Sequence, residues 1–157
     1  KMFNAQYGKE TTEKILHADN EVPLKSGRVN TYKMSREEFL KKYPEFTPGY
    51  LSPDSVLLKE GNIAHTEAFK EGLVTIQDES SQMVARLLNP GEEDVVLDMC
   101  GAPGSKTTHL GILMNNKGLI DVYDLYPHKA KLIEDNAKRL GLSNIHVHTG
   151  DSRPFII

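Results

Sequence analysis

A tight loop with two acidic residues downstream is the part of this sequence best suited to chemistry. Residues 97–110, LDMCGAPGSKTTHL, are typical of a strand that ends, a glycine- and proline-containing turn, and a helix that begins. Asp124 closes the next predicted strand, and Asp151 closes the one after it. Because the carboxyl ends of parallel strands meet at one edge of a sheet, the loop and both carboxylates are expected to form a nucleoside-shaped pocket there.

Three kinds of nucleotide ligand can be compared with the loop. The dinucleotide pattern GxGxxG is not met, because Gly101 and Gly104 are three positions apart and no third glycine follows. The P-loop pattern is approached at Lys106, but Cys100 and Ser105 stand where its two glycines belong. A loop with no phosphate to hold tolerates such changes, and an acidic residue about 20 positions downstream can bind a ribose diol. The sequence therefore favours S-adenosylmethionine.

Helices and strands alternate in the second half of the chain. The predicted elements are a helix from Ser80 or Ser81 to Leu88, a strand at 95–97, a helix capped by Ser105, a strand at 119–123, a helix from Pro127 to Gly141 and a strand at 145–148. The apolar run Val95–Leu97 predicts a strand that is buried on both faces. This alternation predicts an α/β fold with a parallel sheet and right-handed crossovers.

The first 76 residues have a different pattern, typical of a small α+β unit. The predicted elements are a helix at 7–18, a loop at 20–27, a strand at 28–33, a helix opened by the capping box Ser35–Glu38, and strands at 56–58 and 73–76. The sequence thus predicts two parts, an α+β subdomain at 1–76 and the incomplete first half of a Rossmann-like domain at 77–157.

Five sequence blocks carry a resemblance to a known family. Residues 97–109 resemble the first motif of the RNA cytosine-C5 methyltransferases, whose usual form is close to LDMCAAPGGKTTH. The other blocks, in an order that resembles the bacterial Sun/Fmu group of that family, are RVNT at 28–31, GLVTIQDESSQ at 72–82, DNAKRLG at 135–141 and GD at 150–151. Two loop residues depart from the usual motif, since Gly101 replaces an alanine and Ser105 replaces a glycine.

The resemblance implies a Rossmann-like methyltransferase fold with S-adenosylmethionine as cofactor. It implies cofactor contacts at Cys100, Gly101, Ala102, Pro103, Gly104, Ser105 and Lys106, a ribose contact at Asp124 and an adenine-side contact at Asp151. No metal ligand is implied.

The resemblance also implies that the intact protein methylates C5 of cytosine in 16S ribosomal RNA. In that family a cysteine thiolate attacks C6 of the base, and both cysteines that act in the reaction lie in later motifs, which are not in this sequence. We therefore expect no catalytic residue here and no activity from this chain alone. Cys100, the single cysteine, is expected to be a small packed thiol. The alternative function is a nucleoside-cofactor or RNA-binding module without chemistry.

The amino-acid composition limits which binding partners and which cellular compartment are expected. The formal net charge of −3 argues against a self-sufficient RNA binder, but not against an enzyme whose RNA groove includes other sequence. One cysteine provides neither a disulfide framework nor a cysteine-based zinc site, and it fits the cytoplasm. No stretch is long and apolar enough for a bilayer, so no membrane partner is expected. Without a fourth strand, the edge at 95–97 is expected to favour self-association.

Several polar residues outside the loop have open roles. His109 is expected on a helix surface, and His146 and His148 share one strand face without an evident third metal ligand. Arg28 and Asn30 either face RNA or serve the strand structurally, and the sequence leaves both possibilities open.

Overall fold

The structure of the chain is a computed structural model that describes residues 2–20 and 25–153. Its helices are α1 (Met2–Tyr7), α2 (Lys9–Asp19), α3 (Arg36–Lys42), α4 (Glu67–Lys70), α5 (Glu79–Leu88), α6 (Ser105–Leu113) and α7 (Pro127–Leu140). Its strands are β1 (Lys25–Val29), β2 (Phe46–Pro48), β3 (Ser55–Leu58), β4 (Val74–Ile76), β5 (Val95–Asp98), β6 (Leu119–Asp124) and β7 (Ile145–Thr149). No helix in this part of the chain is long and apolar enough to cross a membrane.

The first half of the chain forms an antiparallel sheet in the order β2-β3-β1-β4. Its apolar side packs against α3 and α4 around a core that includes Val29, Phe39 and Ile63. The predicted capping box is confirmed, because the amide of Glu38 donates to the Ser35 hydroxyl at 3.2 Å and the amide of Ser35 donates to the Glu38 carboxylate at 3.1 Å.

The first strand ends earlier than predicted. The sequence predicts a strand at 28–33, whereas β1 covers Lys25–Val29. The backbone oxygen of Asn30 accepts from the amides of Lys33 at 3.0 Å and Met34 at 3.1 Å, so the chain turns directly after the strand. The alternation of residue types at 28–33 therefore continues beyond the end of the strand into a turn. This pattern alone does not distinguish a turn from a strand.

Two other N-terminal predictions need correction. The helix predicted at 7–18 corresponds to α2, but it begins two residues later, because Gly8, whose φ of 75° is readily adopted by glycine, separates α2 from the preceding α1. Residues 21–24 of the predicted loop at 20–27 lie outside the described residues, and 25–27 belong to β1.

The second half forms a parallel sheet in the order β5-β6-β7. The intervening helices α6 and α7 pack on it, and Ile120 and Ile145 of the strands join their apolar faces. The predicted fold class is confirmed as α/β, with a Rossmann-like parallel sheet that follows a small α+β part. Helix α5 begins at Glu79 after Asp78, rather than after a serine cap.

The prediction that Val95–Leu97 is buried on both faces is wrong for the described part of the chain. Val96 packs against α5 and α6, but Val95 is 73% exposed and Leu97 is 39% exposed. Leu87 of α5 is also 81% exposed. Strand β5 is an edge of the described sheet, and α6 and α7 cover one face of that sheet only.

Polar side chains join the two halves across their interface. The Asn30 amide donates to the backbone oxygen of Leu140 at 2.9 Å. In the opposite direction, the Arg139 guanidinium donates to the backbone oxygen of Val74 at 3.0 Å and lies 3.8 Å above the ring centre of Phe69. The end of α7 is thereby attached to the antiparallel sheet by hydrogen bonds in both directions.

Candidate nucleoside site

The loop between β5 and α6 is closed by Asp98, the last residue of β5. One carboxylate oxygen accepts from the Cys100 amide at 3.2 Å, and the other accepts from the Thr107 hydroxyl at 2.7 Å. Asp98 therefore fixes both the start of the loop and the first turn of α6. The sequence reasoning did not assign it a role, although it is the acidic residue that ends the strand within the motif.

The loop enters the helix through Gly104 rather than through the predicted serine cap. Gly104 has a φ of 95° and is the N-cap residue, while Ser105 is already helical and makes no capping bond. A Cβ at Gly104 would lie 3.1 Å from Cα of Ile133, so α7 approaches the loop closely here. Asn136 of α7 also donates to the backbone oxygen of Pro103 at 2.8 Å. The preceding Ala102–Pro103 peptide bond is cis.

The structure brings Asp124 against this loop, as the sequence reasoning requires. Asp124 ends β6 and is 5% exposed. Its carboxylate accepts from the amides of Ala102 at 3.4 Å and Tyr126 at 3.3 Å, and the amide of Gly101 donates to the backbone oxygen of Tyr123 at 3.0 Å. Both bonds to the carboxylate are long, and a carboxylate has about four acceptor sites, so Asp124 retains capacity for further donors.

Two apolar side chains beside Asp124 escaped the sequence reasoning. Leu125 is 55% exposed and Tyr126 is 50% exposed, directly after the strand end. Large exposed apolar groups next to a polar anchor are suited to flank a flat ring. Their residue types carried no signal, because exposure at the edge of a sheet depends on the folded chain.

Asp151 lies near this edge, but its carboxylate binds another partner. The amide of the preceding Gly150 donates to the backbone oxygen of Asp124 at 3.0 Å, which holds the end of β7 beside β6. The Asp151 carboxylate accepts from Nε of Arg153 at 2.9 Å and from Nη2 at 2.5 Å. These hydrogen bonds from Arg153 lower the pKa of Asp151 to about 2.

The other predicted loop residues occupy the turn itself. Pro103 and Lys106 are exposed, and Ala102 and Ser105 are half-buried. Cys100 is exposed, so the prediction of a packed thiol is wrong. Cys100 lies just after the carboxyl end of β5, and its side chain faces solvent in the described part of the chain.

The prediction that His109 lies on a helix surface is wrong. The side chain is fully buried, and Nε2 lies 3.2 Å from Oδ2 of Asp54, which also accepts from Nη2 of Arg86 at 2.5 Å. Burial, together with the nearby cation of Arg28, outweighs the attraction of Asp54 and lowers the pKa of His109 to about 4. The ring is therefore neutral at neutral pH and donates to the carboxylate.

Arg28 has the structural role that the sequence left open, and it contacts the first turn of α6. Arg28 is 1% exposed, and its guanidinium donates to Gln77 Oε1 at 2.5 Å, to the backbone oxygen of Ser105 at 2.6 Å and to the Thr108 hydroxyl at 3.1 Å. Burial lowers the pKa of Arg28 to about 9. An arginine of the antiparallel sheet thus supports the first turn of the helix that follows the loop.

The two strand histidines are not arranged as a metal site among the described residues, where no group of three or more His, Cys, Asp or Glu side chains could hold an ion. His148 instead lies 2.8 Å from Oδ1 of Asp121 and stacks on Tyr123 at a centroid distance of 4.6 Å.

Two protein-family models match the chain. Residues 85–156 match the family described as 16S rRNA methyltransferase RsmB/F, and residues 1–63 match the RsmF/B-like ferredoxin-like domain. The two matches follow each other in the chain, and α4 and β4 lie in the segment between them.

Curated relatives are similar over nearly the whole chain. It is 46% identical over 151 residues to the probable ribosomal RNA small subunit methyltransferase B of Bacillus subtilis (strain 168), covering 94% of this chain and 34% of the relative. It is 35% identical over 156 residues to the relative of the same name from Synechocystis sp. (strain ATCC 27184 / PCC 6803 / Kazusa), covering 96% and 35%. The chain spans about a third of the length of these relatives.

Solved structures share the fold. A methyltransferase homologue from Pyrococcus horikoshii matches with a TM-score of 0.84 and 29% identity over 93% of this chain and 50% of that one. NSun6 from the same organism, solved with SFG, matches in fold with a TM-score of 0.87 at 21% identity, over 97% of this chain and 64% of that one. The resemblance inferred from the sequence blocks is therefore confirmed, and the chain belongs to the RsmB/F family of methyltransferases.

Proposed function

We propose that the full-length protein methylates C5 of cytosine in 16S ribosomal RNA, and that this chain contributes the pocket for S-adenosylmethionine. The observation that carries the proposal is the buried Asp124 carboxylate, which faces the loop at Ala102 and retains acceptor capacity. A ribose diol supplies two donors of the kind that this carboxylate can accept.

The residues of the loop fit a nucleoside without phosphates. The chain offers backbone along Cys100–Lys106, the Asp124 carboxylate for the ribose, and the exposed side chains of Leu125 and Tyr126 to flank the base. Asp151 is proposed to contact the adenine side, for which its side chain has to leave Arg153. When bound, S-adenosylmethionine supplies a methyl group activated by its sulfonium.

No residue of this chain is assigned as catalytic. A thiolate is the nucleophile suited to attack C6 of cytosine, and the single cysteine, Cys100, lies in the loop proposed to contact the cofactor. We therefore propose that this chain alone transfers no methyl group.

We further propose that residues 1–76 form the RNA-handling subdomain and that residues 77–157 belong to the methyltransferase domain. We also propose that the protein acts in the cytoplasm.

Calorimetric titration tests the cofactor assignment. Heat of binding is expected with S-adenosylmethionine and none with NAD or ATP, because the loop lacks the glycines that both phosphate patterns need. Asp124→Asn is expected to weaken binding about tenfold or more, since a hydrogen bond to a charged acceptor contributes about 1.5–3 kcal/mol. Asp121→Asn, on the same strand but paired with His148, is the matched control and should bind normally. Binding of ATP, or equal affinity of Asp124→Asn, would contradict the assignment.

We also propose that this chain self-associates through the β5 edge. Val95 is 73% exposed there, next to an apolar face of α5, and open strand edges recruit further strands. The weight-average sedimentation coefficient is expected to rise with concentration, and Val95→Lys should abolish that rise by placing a charge on the edge. Leu132→Lys, at a 48% exposed position of α7, is the control. Monomeric sedimentation of the unmodified chain at every concentration would refute the proposal.

A further inference from the structure

An aromatic ring projects from the loop that joins β2 to β3. Tyr50 is 82% exposed, and the adjacent Leu51 is 65% exposed. A tyrosine usually buries part of its ring, because the ring is a large apolar surface with a polar end. A ring left this open is available to a flat partner.

The backbone beneath this ring is fixed although the ring itself is free. The carboxylate of Glu79, the first residue of α5, accepts from the amide of Tyr50 at 2.9 Å and from the amide of Leu51 at 2.5 Å. The amide of Gly49 donates to the backbone oxygen of Ser55 at 3.0 Å, which closes the base of the loop. A partner that stacks on Tyr50 therefore does not have to order the loop first, and that saves conformational entropy.

The loop that joins β2 to β3 lies toward the same edge of the parallel sheet as the loop that joins β5 to α6. Helix α5 ends at Leu88, shortly before β5 begins, so its first residue Glu79 lies toward the end where β5 stops. One turn after Glu79, Gln82 donates to the backbone oxygen of Gly27 at 3.2 Å. The next residue of that strand, Arg28, reaches the first turn of α6. The backbone at Tyr50 is thus held toward the end of the molecule at which α6 begins.

We propose that Tyr50 is a stacking platform for an unpaired nucleobase of the RNA substrate, an inference that rests on the proposed RNA-methylating function. Unpaired bases offer a flat face that stacks on aromatic side chains with little dependence on base identity. Stacking on an aromatic ring does not require positive charge, so this attraction to RNA is compatible with the net charge of −3.

The absence of tryptophan from the sequence allows a direct test. Tyr50→Trp introduces the single tryptophan of the chain, whose fluorescence a stacked base quenches. Saturable quenching is expected with a short unstructured RNA of cytidine and uridine. Tyr50→Ala should weaken binding of the same RNA about tenfold, because stacking contributes about 1–3 kcal/mol per base, whereas Tyr50→Phe should bind normally. Tyr7→Ala, at a 46% exposed ring on α1, is the matched control.

A second variant separates the ring from its support. Glu79→Gln keeps the size of the side chain but removes the charge that holds the loop amides, and it should weaken RNA binding with the ring still present. The S-adenosylmethionine titration is run on every variant and should not change. Equal RNA affinity of Tyr50→Ala and the unmodified chain would overturn the inference and leave the proposed function intact. Failure of the unmodified chain to bind S-adenosylmethionine would instead refute the proposed function.

Discussion

Acidification from pH 6.5 to pH 4 is expected to remove about 3 kcal/mol from the free energy of unfolding through His109 alone. The pKa of this buried ring is lowered from 6.5 to about 4 in the folded chain, so the folded state resists protonation. Between these two values the unfolded chain binds a proton that the folded chain does not. The contribution of His109 to stability is therefore complete above pH 6.5, falls as the pH drops, and levels off below about pH 4.

Urea unfolding at several pH values measures this effect by comparison with a variant that cannot titrate. His109→Gln retains a donor for Asp54 but no ionisable group, so its stability should fall less on acidification, by about the same 3 kcal/mol. Arg28 and Arg86 also face this site, and both are unchanged in the variant. His128→Gln, at an exposed position of α7, is the control and should follow the unmodified chain. Parallel pH profiles for His109→Gln and the unmodified chain would contradict the burial described for this ring.

Restoring the alanine of the usual family motif at Gly101 is expected to destabilise this chain by about 2–3 kcal/mol. A Cβ at this position would lie 2.1 Å from Cγ2 of Val122, 3.0 Å from Oγ1 of Thr107 and 3.3 Å from a carboxylate oxygen of Asp98. Val122 is fully buried in β6, and a β-branched side chain has few alternative rotamers. The glycine at 101 and the valine at 122 therefore form a size-matched pair.

A double-mutant cycle tests that pairing. Gly101→Ala combined with Val122→Ala should be more stable than the sum of the two single changes predicts, because the second change opens the space that the first one fills. Gly91→Ala is the control, since the atoms nearest to its Cβ would be those of Asp94 at an ordinary 3.5 Å, and it should change stability by less than about 0.5 kcal/mol. Additive single effects would argue that the loop moves to accept the methyl group.

Local sequence is sufficient for most of the parallel half. The strands at 119–123 and 145–148 and the helix from Pro127 match β6, β7 and α7, because apolar spacing, proline and glycine act within a few residues. The strand predicted at 28–33 fails for a different reason, since a turn at Asn30 is held by backbone bonds that the residue types do not specify.

Burial is the property that the sequence could not provide, because it depends on partners distant along the chain. His109 has the spacing of a surface residue, yet Asp54 contacts it from 55 positions away. Val95 lies in a run typical of an interior strand, yet it is 73% exposed in the described part of the chain. In the candidate site, the loop and Asp124 follow from spacing, whereas Asp98, Leu125 and Tyr126 became apparent only with the strand ends in place.

The hydrogen bonds that Asn30 and Arg139 make across the interface limit how far the two halves of the chain can move relative to each other. Asn30 donates toward α7, and Arg139 donates back toward the antiparallel sheet, so pulling the halves apart breaks bonds in both directions. These hydrogen bonds disfavour a hinge motion that would open and close the two halves. A nucleic acid strand that contacts both halves would therefore meet two surfaces held in one relative position.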